Sequence, residues 1–482
     1  MTTFYIDPSA NVNGDGSIES PFNSWDNVTW TAGNSYLQKA GTTFNGQISI
    51  GASGNSLQSR IYLGKYGTGA LPKIEAVQYG IFIAARQFLF IEDFEITNAT
   101  DHGIYIRTSG SNIENITINR CIAHHNQNNG FFLDGVVLTA TIKDVYFNDC
   151  VAYENKEHGW DCLGIVKNVY WQRCTAYKNG ALVLGHGFSI HPFASTNQVT
   201  GWTVVSGNVY SRTLSASESV QKVINRSAGV TITKNVGAGI SVGLNQWDQS
   251  GTTFYINIGS DPNVSLIAWK RAEHGPFFYF NCTSFENYTD AGPGEGHGFA
   301  SDDMTGPSFY FNCIAFNNEG AGFQNQWGDN VWIENCLSFK NQLSNFRTTG
   351  HTDNYTILNC TSAFSNDHGY FFAVPFSNIT FTNNISTKNN LYGFAAEGAG
   401  ITSINCLSFN NPSGASLNFS DTNLLTTDPL LNIGYKIYST SSPAKYTGAV
   451  VNSQFKENIP PSRGAFEYMP VRSITSTRTM RT

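Results

Sequence analysis

The stretches FNDCVAYEN (147–155) and WQRCTAYKN (171–179) share one pattern, x-[N/D/R]-C-h-[A/S]-h-x-N with h apolar. It returns in YFNCIAFNN (310–318), IENCLSFKN (333–341) and INCLSFNN (404–411). Cys121, Cys150, Cys174, Cys282, Cys313, Cys336 and Cys406 each precede by five residues an Asn: 126, 155, 179, 287, 318, 341 and 411. Cys360 departs by one, with Asn366 six residues on. A second landmark is a Gly followed by alternating apolar residues, as in HGIYIR, NGFFLD, HGWDCL, HGFSIH, AGISVG, HGFASD, AGFQNQ, HGYFFA and YGFAAE. Its Gly positions (103, 130, 159, 187, 239, 298, 322, 369 and 393) are about 24 to 29 residues apart or roughly twice that.

A period of that length, built of short strands with Asn- and Gly-rich corners, predicts one rung of a parallel β-helix, each rung pairing with the next through main-chain hydrogen bonds. An Asn at one corner of successive rungs can stack into an amide ladder. The small apolar Cys stacks inside, so the nine Cys read as buried thiols rather than disulfides. Most Asn-x-Ser/Thr sequences then read as ladder positions rather than glycosylation sites.

Composition agrees. Of the 482 residues only 13% are charged, while 46 are Gly and 13% aromatic, which suits many strands and tight turns rather than long helices. A net charge of −7 and no basic stripe argue against a nucleic-acid partner. No apolar run is long enough to span a bilayer and the N-terminus carries no signal-peptide pattern, so a soluble, non-membrane protein is expected. The expected organisation is an N-terminal cap with the first rungs over 1–80, and a β-helix over 81–419 with an excursion at 193–235. A C-terminal cap over 420–468 and a tail over 469–482 follow.

Strand alternation places the chemistry. Counting from the Gly of the second landmark, positions +1 and +3 are apolar and point inward. Positions +2 and +4 point outward: Tyr105 and Arg107, Phe132 and Asp134, Asp161 and Leu163, Ser189 and His191. His102, Asn129, His158 and His186 stand at the corner before the strand. With rungs about 4.8 Å apart, Arg107, Asp134, Asp161, His158, His186 and His191 fall in a patch roughly 15 Å across. A corner His can simply cap a turn, and a lone outward Asp is usually only solvated; co-location on successive rungs favours a site. Outward Tyr105 and Phe132, with Trp160 and Trp171, would stack on sugar rings if exposed, as would Trp247 and Trp327.

The whole chain, from FYIDPSANVNGDGSIESPF through the rungs to DPLLN, SPA and GAFEY, resembles right-handed parallel β-helix proteins that act on polysaccharides. NKEHGWDCLGIVKNVYWQRCTAYKNGALVLGHGFSIH resembles the calcium-dependent pectate lyases of polysaccharide lyase family 9. That resemblance implies Ca²⁺ held by Glu157, His158 and Asp161, with Asn129 as a further ligand; Ser189 falls where the family has its catalytic Lys. A second register, GEGHGFASDD through NNEGAGFQ to SNFRTTG, places His297 and Gln324 at ligand positions and Arg347 at the base position. Trp160-Asp161-Cys162 and GHGFSI (185–190) also resemble glycoside hydrolase family 28 polygalacturonases.

A lyase must neutralise a uronate carboxylate and remove the neighbouring proton, so it needs a cation and a base on one face. Arg107 would neutralise, His191 or His186 would abstract, and Asp161 would orient an imidazole or bind Ca²⁺. An inverting hydrolase needs two carboxyl groups about 6.5–9.5 Å apart, and strand spacings put Asp134 and Asp161 roughly 8 Å apart. The expectation is an all-β, single-domain, right-handed parallel β-helix cleaving an acidic polysaccharide by β-elimination. The alternatives are a polygalacturonase-type hydrolase, a uronate epimerase, and a non-catalytic glycan-binding tail or adhesion module. The protein would be extracellular or virion-associated, and a monomer, or a trimer if part of a viral tail. Asp161→Ala and His186→Ala are both expected to abolish turnover with the fold intact.

Overall fold

A computed structural model of the chain describes residues 2–431, together with 435, 442–444 and 464. Within 2–431 it omits 136–139, 181–184, 192–201, 214–219, 226–229, 251–252, 263–266, 272–274, 290–293, 302–305, 327, 351 and 375. The expected tail, most of the C-terminal cap, and Trp327 lie outside the described residues.

Three long parallel sheets of 14, 12 and 12 strands run the length of the described chain, each rung giving one strand to each. The protein is a right-handed parallel β-helix. One rung shows how the sequence makes it. Ile142–Asn148 joins the first sheet, Val151–Tyr153 the second and Trp160–Gly164 the third. The two corners between them turn at left-handed residues, Asp149 (φ 54°) and Glu154 (φ 51°). Asn and Asp tolerate that conformation best. The variable residue before each Cys and the one before each ladder Asn therefore recur as turn residues: Arg173 and Lys178, Asn312 and Asn317, Asn335 and Lys340.

The ladder is continuous. Nδ2 of Asn126 donates to Oδ1 of Asn155 at 2.8 Å, and Asn155 donates likewise to Asn179 at 3.0 Å. The series continues to Asn287, Asn318 and Asn341 at 3.1, 2.8 and 2.9 Å. At the irregular rung, Ser365 fills the corner and exposed Asn366 lies outside it. All nine Cys are buried free thiols. Of the Asn-x-Ser/Thr sequences, Asn287 is a ladder member. Asn98, Asn115, Asn281, Asn354, Asn359 and Asn378 hold left-handed turns, and four of them also stack amide on amide between rungs: Asn281 with Asn312, Asn354 with Asn330 and Asn378, and Asn359 with Asn383.

Inside the Gly-led third sheet, Phe131, Trp160, Phe188, Phe299 and Phe323 stack at 4.7, 4.7, 4.9 and 4.9 Å between ring centroids. Such pairs contribute about 0.5–1.5 kcal/mol each beyond area burial. The preceding Gly is required by close approach: a Cβ on Gly159 would meet the Gly187 carbonyl oxygen at 2.6 Å.

Within 1–80, Thr3–Ile6 pairs in parallel with Ser35–Lys39, and Ile61–Tyr66 with Leu89–Glu92, so rungs run through this segment; one boundary further on differs from expectation. The excursion is longer than 193–235. It forms its own sheet of seven strands among the described residues, from Thr203–Ser206 to Ile267–Arg271, and the helix resumes at Phe277–Phe280. Gly239 belongs to a short 3₁₀ turn in that module and leads no rung strand. The misreading came from AGISVG, which has the local alternation of a rung without a Cys-Asn unit before it.

Candidate active site

Register places the outward side chains of the third sheet in columns. Residues Tyr105, Phe132, Asp161, Ser189, Ala300, Gln324, Arg347 and Phe371 form one column. Arg107, Asp134, Leu163 and His191 form the next. The two separate registers seen in the sequence are therefore two ends of one surface. The excursion that divides them in sequence leaves Phe188–His191 directly beside Phe299–Ser301. The small residues Ser189 and Ala300, both buried, stand in the column between Asp161 at one end and Gln324 and Arg347 at the other.

At the first end, His191 is half-buried, its Nε2 2.5 Å from Ser189 Oγ and 3.7 Å from Asp161 Oδ1. With Nε2–H donated to Ser189 Oγ, and Asp161 Oδ1 beyond hydrogen-bond distance on the same side of the ring, Nδ1 carries the basic lone pair. At the other end, Arg347 is half-buried, with Asp367, Glu295 and Glu397 around its charge; burial pulls its pKa down and the carboxylates pull it up. Glu295 lies between the ends. Its carboxylate stands 3.4 Å from His297 Nε2 and 3.8 Å from His186 Nε2. The hydrogen bond to His297 leads in holding its pKa below the usual carboxylate value, with Arg347 and His191 adding to the effect.

The corner histidines are structural donors and acceptors. Nδ1 of His158 accepts the His186 N–H at 3.0 Å, Nδ1 of His186 the His297 N–H at 3.1 Å, and Nδ1 of His297 the Ala321 N–H at 2.8 Å. Their rings stack at 4.9 Å. Burial, foremost, pushes the pKa of both His158 and His186 well below the ordinary 6.5, so both are neutral.

Several expected roles change. His186 has its Nδ1 occupied by the His297 N–H and its ring proton on Nε2, so it offers no basic nitrogen to a bound polymer, and His186→Ala would disturb the fold. Tyr105 and Phe132 are only 5% and 8% exposed because they stack on each other at 5.4 Å, so neither presents a face to sugar. Asp134 is buried as well: its Oδ2 accepts the Tyr105 hydroxyl at 2.6 Å and faces Arg107 Nε at 3.5 Å, an acceptor role that argues against a general acid or base. Arg107 is exposed and three rungs from His191, as Arg347 is on the other side, but its Nε stands 3.5 Å from Asp134 Oδ2, whereas the charge of Arg347 acts on Glu295. Trp160, Trp171 and Trp247 are core residues.

The calcium ligands do not fit. Asn129 is buried and its Oδ1 takes the His158 N–H at 2.9 Å. His158 is a nitrogen donor, whereas Ca²⁺ takes six to eight oxygens. Glu157, half-buried with its pKa raised chiefly by burial, and Asp161 are the remaining acids of the expected set. Two other clusters have metal-like proximity, His158–Asp161–His191 and His186–Glu295–His297. Each includes a corner imidazole whose Nδ1 accepts a backbone N–H. The ring proton of that neutral imidazole is then on Nε2, the nitrogen a metal would need, and a metal-bound His normally donates from its other nitrogen.

Glu295 was missed in the sequence. The available signal was an acid one or two residues before a corner His, as in Asp101-His102, Glu157-His158 and Asp367-His368.

No family model and no curated protein matches the chain. Among solved structures it is similar to pectate lyase Pel9A, at 16% identity over 97% of this chain and 96% of that one, TM-score 0.38. It is similar to the A-module of Azotobacter vinelandii mannuronan C-5 epimerase AlgE4, at 12% identity over 82% and 91%, TM-score 0.38. It is also similar to tailspike protein gp49 of Acinetobacter baumannii bacteriophage Fri1, a capsular polysaccharide depolymerase, at 9% identity over 82% and 57%, TM-score 0.41. No residue role is drawn from these likenesses. No helix among the described residues is long and apolar enough to cross a membrane.

Proposed function

We propose that the protein is a polysaccharide lyase that cleaves an acidic, uronate-containing polymer by β-elimination on the face of the third sheet between His191 and Arg347. What supports this reading is a base and a cation on one face: His191 on the rung of Ser189 and Arg347 three rungs along the same sheet, with the Glu295 carboxylate beside His186 and His297 between them. β-Elimination needs that juxtaposition, because the acidified proton and the carboxylate that acidifies it sit on one sugar ring.

In this mechanism Arg347, with Gln324 beside it, neutralises the uronate carboxylate. Nδ1 of His191 takes the proton from the adjacent carbon. The electron pair forms the new C=C bond as the C–O bond to the next sugar breaks, and the departing oxygen takes a proton from the imidazolium or from water. Ser189, with Asp161 behind it, holds the ring at Nε2. An extended polymer lying along the column would reach Arg107 at a neighbouring sugar. An extracellular or virion-associated setting, where such polymers are met, accords with this reading.

The test is a screen of pectate, alginate and glycosaminoglycans read by absorbance of unsaturated ends and by reducing ends. New absorbance abolished in His191→Ala supports the proposal. Reducing ends without absorbance would replace it by hydrolysis, and exchange of the ring proton with solvent without cleavage would replace it by epimerisation, which shares the abstraction step.

A further inference from the structure

The imidazole stack at the corner before the third sheet has a use beyond holding rungs together. Backbone N–H groups are donors only, so each one that meets a ring Nδ1 fixes that nitrogen as the acceptor and puts the ring proton on Nε2. His158, His186 and His297 therefore form a row of Nε2–H donors at a repeat of 4.9 Å. Two of the three face Glu295, at 3.4 and 3.8 Å, and the Glu295 side chain is 46% exposed at the mouth of the row. His102 and His368 show the same logic, each with Nδ1 taking a backbone N–H and Nε2 beside an Asp, at 3.1 and 3.5 Å. Those acids immediately precede their histidines in the chain. Glu295 instead serves its own rung and the one before it, where Gly185 precedes His186 and brings no acid.

We propose that the Nε2–H row of His186 and His297 is a carboxylate seat that Glu295 fills in the free protein and that a uronate carboxylate takes over when the polymer binds. This rests on the lyase reading and deepens it: the anionic group is received by neutral, fixed N–H donors and Arg347, with no metal ion. Hydrogen bonds to an ionised acceptor are the strong kind, and donors already locked by the main chain need no reorientation to make them. Glu295 is thus an internal competitor. It keeps the donors satisfied when no substrate is present and swings outward, where it is already half solvated, when one arrives.

The experiment uses the full chain labelled with ¹⁵N-histidine. Ring signals of His158, His186 and His297 should report the Nε2–H tautomer. D-galacturonate, D-glucuronate and D-mannuronate are then titrated into the wild type, Glu295→Ala and Glu295→Gln, with the corresponding neutral hexoses as controls. The seat predicts that at least one uronate shifts the His186 and His297 Nε2 signals, and that Glu295→Ala lowers its Kd at least fivefold. Glu295→Gln should fall between, and the neutral hexoses should leave these signals unmoved. An Nδ1–H tautomer, equal Kd in wild type and Glu295→Ala, or silence with all three uronates would overturn it. Turnover with no tightening in Glu295→Ala rejects the seat and leaves the lyase; tightening with no turnover of any polymer rejects the lyase and leaves the seat.

Discussion

The backbone N–H of His186 points at Nδ1 of His158, 3.0 Å away, and that contact decides the metal chemistry of the face. With Nδ1 an acceptor, His158 offers a proton rather than a lone pair at Nε2. Chelation by EDTA should therefore leave turnover within about twofold of the untreated enzyme, and added Ca²⁺ or Zn²⁺ should not raise it. A tenfold loss restored by Ca²⁺ would return Glu157 and Asp161 to the metal-ligand role implied by the resemblance.

His191→Ala should lower kcat by roughly 10²–10⁴, the usual range for a positioned acid or base. The thermal midpoint should stay within a few degrees, because the side chain is partly exposed and packs into no core cluster. Ser189→Ala should cost less, since Asp161 remains to hold the ring. Equal kcat in His191→Ala and wild type would remove it from the reaction.

Stability should fall on acidification in a way set by buried imidazoles. Burial lowers the folded pKa of His102 to about 4 and of His158 and His186 well below 6.5, while the unfolded chain titrates near 6.5. Below that value the unfolded state binds protons that the folded state refuses. Their neutral burial thus carries no penalty above pH 6.5, and costs about 1.4 kcal/mol per His per pH unit as pH falls toward each folded pKa. The urea midpoint should drop from pH 6.5 downward, and more shallowly in His186→Gln. A flat midpoint from pH 7 to 5 would contradict neutral burial.

Asn155→Ala should destabilise by about 3 kcal/mol, read as a lower urea midpoint at constant slope. The deletion strands the Asn126 and Asn179 amides and the Ala123 carbonyl, which Asn155 now engages at 2.8, 3.0 and 3.1 Å. Asn366→Ala, at the exposed position outside the ladder, should cost under 0.5 kcal/mol.

The coil was legible because it repeats: a fixed five-residue step from Cys to Asn appears seven times in the chain. Facing was legible for the same reason, and Arg107, Asp134 and Asp161 lie on the columns that alternation assigned. What alternation leaves open is whether an outward residue is open to solvent. Tyr105 and Phe132 point outward yet are covered by each other and by neighbouring rings such as Tyr79 and His102. Nor does it tell a corner His that receives a backbone N–H from one that meets substrate, because that depends on the rung above. Arg347 was visible only as a second register, since its place in the column of Asp161 and Ser189 appears once the excursion is looped out.

That excursion also has a cost that polymer statistics can bound. Ladder partners Asn179 and Asn287 are 108 residues apart, whereas Asn155 and Asn179 are 24 apart. Roughly two doublings of loop length add about 1.2 kcal/mol of closure entropy. A module with its own sheet and its own core around Trp247 and Phe254 therefore sits at this rung at a cost of the order of a single hydrogen bond. Beside Phe188–His191, the solenoid offers a place where whole modules could be exchanged while the register of the rungs on either side is kept.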